Sequence, residues 1–218
     1  MSAHSAAAGR ADAYGALAAA DPVLAGLMRD HGTSDPFAWI DAGRTGGSNF
    51  AAMVLHILGQ QISVAVAFIL YDRLANAAGG IPTPQAVLAL DPDTLRGFGL
   101  SRAKAAYVHD LASRAEDGRL DIEHMDGLSD GQAFTALTAV RGIGPWSAEM
   151  FLIHQLHRAD ILPAGDVGIR RAIEQAWQLP GMPTIDEVRD RGAAWAPHRT
   201  YASALLWRSL AHPASTAP

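Results

Sequence analysis

Apolar positions recur at helical spacing along most of the chain, and runs of alternating β-branched residues are missing. "DPVLAGLMRDHG" (21–32) predicts a short helix stopped by Gly32. "NFAAMVLHILGQQISVAVAFILYDRLANAAG" (49–79) carries few charges and predicts one long helix, or two joined near Gly59, mostly buried. "TPQAVLAL" and "DPDTLRGF" predict two short helices, each with a capping residue and a proline at its start. Further helices are predicted over 101–117, with Ser101 as N-cap, and over 132–140, 145–157, 167–178, 184–195 and 198–211. About ten helices with short links make an all-α protein. Residues 1–20 are expected to fray or be disordered, and 211–218 to form a flexible tail, leaving one domain over 21–210.

Composition narrows the chemistry. Cysteine is absent, which excludes disulfides, thiolate zinc sites, thiol nucleophiles and cysteine-held iron–sulfur clusters. No run approaches a membrane span and the alanine-rich start has no continuous apolar core, so a cytoplasmic protein without a secretory signal is expected. The net charge of −5 argues against a protein that coats nucleic acid electrostatically. Basic residues are uneven, however: Arg96, Arg102, Lys104 and Arg114 meet only Asp110 within 96–114. Lys104 is the sole lysine.

The stretch "AVRGIGPWSAEM" (139–150) sets two glycines and a proline in front of a helical run. Glycine lets another backbone approach closely, and proline suits the first turn of a helix. Ile143 can pin the turn into the core, which leaves backbone N–H groups of Gly142, Ile143 and Gly144 at a helix start, a site that favours an anion. An ordinary turn between two helices fits the same letters. Amide donors do not enter the charge count, so a phosphate grip of this kind is compatible with a negative chain. "LRGFGLSRAKAAYVHDLA" (95–112) partly echoes the pattern, and neither copy follows a strand as a dinucleotide fingerprint requires.

"LPAGDVGIRRAIEQAW" reads as a turn followed by a helix that Asp166 opens. Asp is a preferred N-cap, and capping alone would explain it. A carboxylate held by cap amides is also a poor general base but a good fixed anion beside a developing cation.

These segments, with "ILGQQIS" (57–63) and "LTAVRGIGPWSAEMFL", occur in the order and spacing of helix–hairpin–helix DNA glycosylases. Over residues 21–210 the chain resembles the alkylated-base branch of that superfamily, the DNA-3-methyladenine glycosylase II type. The resemblance implies a two-lobed helical fold, one lobe over about 60–160 and the other from the terminal helices, with a cleft between them. It implies catalysis by Asp166 and DNA binding by Gly142, Ile143, Gly144, Gln60, Gln61, Ser147 and Lys104. Gln61 falls at the position that plugs the gap left by a flipped base. Trp146 falls on an aromatic of the base pocket, with Trp195 and His198 as neighbours. Relatives often carry a tryptophan where His198 stands, and the β-rich N-terminal domain of some members does not fit before Asn49.

The implied partner is double-stranded DNA with alkylated bases, bound by a monomer, and the implied reaction begins base excision repair. No cofactor is expected beyond a structural monovalent cation at 142–144. No metal is expected either, since His56, His154 and His157 have no acidic partner at ligand spacing. Lyase-competent relatives place a lysine where Trp146 stands, so a monofunctional enzyme is expected. The alternative is a non-catalytic binder of DNA structure on the same fold, which could dispense with Asp166 and the aromatic pocket.

Overall fold

The chain folds as α1 (Ala3–Ala20), α2 (Pro22–His31), α3 (Asn49–Gly59), α4 (Val64–Ala77), α5 (Pro84–Leu88) and α6 (Pro92–Gly97), followed by α7 (Arg102–Glu116), α8 (Asp130–Thr138), α9 (Pro145–His154), α10 (Val167–Ala176), α11 (Ile185–Gly192) and α12 (Arg199–Ala211). Short 3-10 turns lie at Met125–Gly127 and Ala193–Trp195. The computed structural model describes residues 3–38 and 41–211, and no strand occurs among them.

Most of these helices begin where a side chain satisfies the first N–H groups. Asp21, Ser48, Ser63, Thr83, Asp91 and Ser101 cap α2 to α7. Ser129 with Gln132, and Thr184 with Glu187, form capping boxes on α8 and α11, and Asp166 caps α10. The apolar run 49–79 is therefore two helices, since Ser63 opens a new one four residues after Gly59 closes the first. Helix α9 differs from these: its N-cap is Gly144, with no side-chain bond.

The chain separates into two compact units, residues 39–156 and residues 1–38 with 157–218. In the middle unit α3 is buried along almost its whole length and packs against α4, α7 and α9, while α5 and α6 pack on α7 and α8 on α9. The unit starts before α3, not near residue 60, because α3 is its centre. The start of α3 is held by Glu123, whose carboxylate accepts from Ser48 Oγ and the amides of Asn49 and Phe50.

The terminal unit buries Tyr14, Leu17, Leu24, Ile169, Ile173, Trp195, Leu205 and Leu206 in one core. Residues 3–20 are a helix here and not the frayed segment expected. Alanine is the best helix former, and Ala13, Tyr14 and Leu17 share a buried face of α1, which contacts α2 and α12. The Tyr14 hydroxyl also donates to Ser34 O at 2.8 Å. Ala211 ends α12, and the rest of the expected tail, 212–218, lies outside the described residues. No described helix is long and apolar enough to cross a membrane.

Candidate functional site

The turn between α8 and α9 is built tightly from within. The Ile143 amide donates to Val140 O at 3.1 Å and the Ile143 side chain is buried, as its apolar character requires. Gly142 has φ +86°, and a Cβ there would stand 2.2 Å from the Tyr107 ring. Glycine is needed at this point on both counts. The Arg141 amide donates to Asp110 Oδ2 at 2.8 Å, and Arg114 Nε reaches the same oxygen at 2.9 Å. Burial alone would raise the Asp110 carboxyl, but the Arg141 amide and the Arg114 guanidinium outweigh it and hold the group below the usual carboxylate range.

The outer side of the turn is different. Gly144 has φ −85°, and a Cβ there would meet nothing within 4 Å. Pro145 stands at the first helical position, and the N-cap residue supplies no side chain to the positive end of α9. Such an end suits an anion from outside the chain.

Several residues expected to touch DNA are engaged within the middle unit. Gln60 Nε2 donates to Gly142 O at 3.0 Å and to Ser147 Oγ at 3.2 Å, tying the α3–α4 loop to the hairpin. The Ser147 side chain is buried in that contact, so its hydroxyl belongs to the scaffold and not to an exposed DNA-facing surface. Lys104 Nζ donates to Leu58 O at 2.7 Å, in the last turn of α3, and burial pushes its ammonium down. Gln61 is exposed at the tip of the same loop with φ +59°. A non-glycine residue in that region costs about 1–3 kcal/mol, and the ties at Leu58 and Gln60 hold the chain that leads into the strained tip.

Beside this loop lies a cavity of about 250 Å³ lined by Leu55, His56, Gln60, Val64, Phe68 and Trp146. Trp146 is 49% exposed although it sits on a helix whose later residues are mostly buried. Burial, with His154 nearby, pushes the His56 imidazole down to about 4, so His56 adds no positive charge near neutral pH. The Arg44 guanidinium stands 4.2 Å from the Phe68 ring centroid, so an aromatic face of this unit already holds a cation. A larger concavity of about 720 Å³ in the terminal unit is lined by Asp21, Glu187 and Asp190 against the single cation Arg191, a net negative set that disfavours phosphate. Among the described residues no group of three His, Asp or Glu side chains is arranged to hold a metal.

In the terminal unit Asp166 caps α10, accepting the Ile169 amide on Oδ1 at 2.9 Å. Trp207 Nε1, from α12, donates to the same oxygen at 3.0 Å. Trp195 does not belong to a base pocket. It is 1% exposed, tilted against Trp177 at 5.8 Å, and donates its indole N–H to Asp21 Oδ2 at 3.1 Å. A large indole with its donor satisfied inside is core packing. His198 is half-buried at the entry to α12, and its amide donates to Trp195 O at 2.8 Å.

The structure thus brings Gln60, Gly142, Ser147 and Trp146 together and sets Asp166 among α10 and α12. The sequence reading missed Tyr107 beneath the hairpin, Asp110 as its anchor, Phe68 in the cavity and Trp207 on Asp166. Only Gly168 carried a signal for the last of these: a Cβ there would lie 2.9 Å from Asp166 Oδ1 and 3.3 Å from Trp207 Cδ1.

Residues 54–198 match the HhH-GPD superfamily of base excision DNA repair proteins. The chain belongs to that superfamily. Among HhH-GPD relatives, it is 29% identical over 163 residues to DNA-3-methyladenine glycosylase 1 of Schizosaccharomyces pombe, covering 73% of this chain and 72% of the relative. It is 31% identical over 168 residues to DNA-3-methyladenine glycosylase 2 of Escherichia coli, covering 72% of this chain but 56% of that protein. The chain therefore spans only part of the length of these relatives. A solved structure of the S. pombe 3-methyladenine DNA glycosylase in complex with abasic DNA superposes with a TM-score of 0.78 at 26% identity, covering 94% of this chain and all of that one.

Proposed function

We propose that this chain is a monofunctional DNA glycosylase that releases alkylated purines, of the 3-methyladenine and 7-methylguanine type, from duplex DNA. The observation that carries the reading is the α9 start: a helix end with no side-chain cap at Gly144 and, two residues on, Trp146, an exposed aromatic on an apolar cavity. The first feature suits a phosphate and the second a flat cationic ring. The cavity of about 250 Å³ falls at the small end of ligand pockets, as a single base requires.

A base inside a stacked duplex must be flipped out before its glycosidic bond can be attacked. Gln61, at the exposed tip of the α3–α4 loop, fills the gap it leaves. Alkylation at a purine ring nitrogen makes the base cationic. When the C1′–N bond breaks, its electron pair neutralises the departing base and the sugar takes on oxocarbenium character. Asp166 stabilises that cation as a fixed carboxylate. Water then adds to C1′ and its proton passes to solvent, leaving an intact abasic site. No amine nucleophile is required, and Lys104 is committed to Leu58 O.

A monovalent cation at 142–144 is part of the proposal as a structural brace only. Val140 O and Gly142 O each already accept one N–H, from Ile143 and Gln60, and a carbonyl's second lone pair is what a cation would use. The enzyme acts as a monomer, in the cytoplasm, on DNA. The deciding experiment is mass spectrometry of free bases released from methylated duplex, followed by borohydride treatment. Free 3-methyladenine or 7-methylguanine, with no trapped protein–DNA adduct, is the expected result. An adduct that vanished in Lys104→Ala would overturn the monofunctional reading, and no free base at all would leave the chain a DNA binder.

A further inference from the structure

We propose that Trp207 is a positioning residue that fixes the Asp166 carboxylate for base release. The inference rests on the role proposed above for Asp166. An N-cap bond alone holds a carboxylate to its own helix, through the Ile169 amide at 2.9 Å. Trp207 adds a second hold from α12, its Nε1 standing 3.0 Å from the same Oδ1. The carboxylate is therefore held from two packed elements, α10 and α12.

The nature of the donor matters. Indole nitrogen donates and never accepts, so it takes no proton from the acid it holds. It is also neutral. An arginine or lysine here would orient the carboxylate equally well and cancel the negative field that a sugar cation needs. Trp207 orients without neutralising.

Two further observations show that the contact is built into the fold. Gly168 leaves the space in which it is made, since a Cβ there would crowd both Asp166 Oδ1 and Trp207 Cδ1. Trp207 itself packs against the apolar core of the terminal unit. The same unit supplies an internal control. Trp195 donates to Asp21, the N-cap of α2, but onto Oδ2 while the Val23 amide takes Oδ1. There the indole is fully buried in the core.

The test replaces the indole at 207 with benzothienylalanine, which keeps its shape and loses the N–H, and does the same at 195. Single-turnover base release from methylated duplex, DNA affinity and melting temperature are measured for both, with Asp166→Asn alongside. The 207 variant is expected to release base roughly ten- to hundredfold more slowly, with affinity within about twofold of the parent. The 195 variant is expected to lose stability and keep its rate. Should the 207 isostere melt abnormally, Trp207→Phe is measured in the same way. A parental rate without the N–H overturns the proposal, as does an equal loss of rate and affinity. A parental rate in Asp166→Asn overturns the role of Asp166 itself, and so separates the two failures.

Discussion

Helices α9 and α10 begin with the same electrostatic problem and resolve it in opposite ways. Each presents several N–H groups without intrahelical partners at the positive end of a dipole. At α10 the chain fills that end with the Asp166 carboxylate and adds an indole donor from α12. At α9 it supplies only Gly144, although α2 to α8, α10 and α11 all carry side-chain caps. A chain that caps its helices this consistently has the means to close α9. Leaving it open sacrifices a few tenths of a kcal/mol and keeps a site for an external anion. One end holds an anion of its own, and under the proposed function the other is left for a phosphate of DNA.

The largest expected effect lies at the filled end. Asparagine caps a helix about as well as aspartate. Asp166→Asn should therefore keep its melting temperature and DNA affinity while base release falls roughly a thousandfold or more. Single-turnover kinetics beside a binding titration checks this. Near-parental release would reduce Asp166 to a cap and erase the contrast between the two helix ends.

The inner side of the hairpin comes next. Gly142→Ala places a methyl group into the Tyr107 ring at a positive φ and should cost about 2–4 kcal/mol in chemical denaturation. Gly144→Ala, two residues away at an ordinary φ and in open space, should leave stability unchanged or slightly raised. Equal damage from both would mean that the outer side is not open.

A sharper test converts one end into the other. Gly144→Asp gives α9 the cap that α10 has, so folding should gain a few tenths of a kcal/mol. Its carboxylate then occupies the amides and repels phosphate, and affinity for damaged and undamaged duplex should fall together by roughly ten- to hundredfold. Unchanged affinity in the folded variant would return "RGIGPW" to a plain turn.

The sequence revealed the helices because their punctuation is local. Ser101, Asp166 and the Gly-Ile-Gly-Pro turn each act within a few residues, and periodicity supplied the rest. α1 was missed because an alanine-rich helix has almost no polar–apolar contrast, and only Tyr14 and Leu17 mark its buried face. Side-chain roles were less legible for a related reason. Gln60 and Lys104 carry the polar groups expected of DNA contacts, yet their partners are backbone carbonyls distant in sequence, at Gly142 and Leu58. Trp195 and Trp146 are the same residue type on the page. Packing buries one at 1% and leaves the other 49% exposed.

Lys104 gives the smallest and most discriminating measurement. As the sole lysine in a chain of net charge −5, it invites the reading of a phosphate contact. Its ammonium instead meets Leu58 O in the last turn of α3, where a cation favours the negative helix end by about 0.3–1 kcal/mol. Lys104→Met keeps the aliphatic stem and removes the charge, so stability should fall by about that amount. Binding decides between the two roles. A phosphate contact would lower the slope of log K against log salt by about one, because one fewer counterion is released. A strut leaves the slope as it was and weakens affinity by less than about twofold, through a looser loop at Gln61. The unchanged slope is the expected outcome, because Lys104 meets Leu58 O and the proposed grip on DNA uses neutral amides. A slope reduced by one would put Lys104 on the DNA, and the open end of α9 would then share the phosphates with a charge.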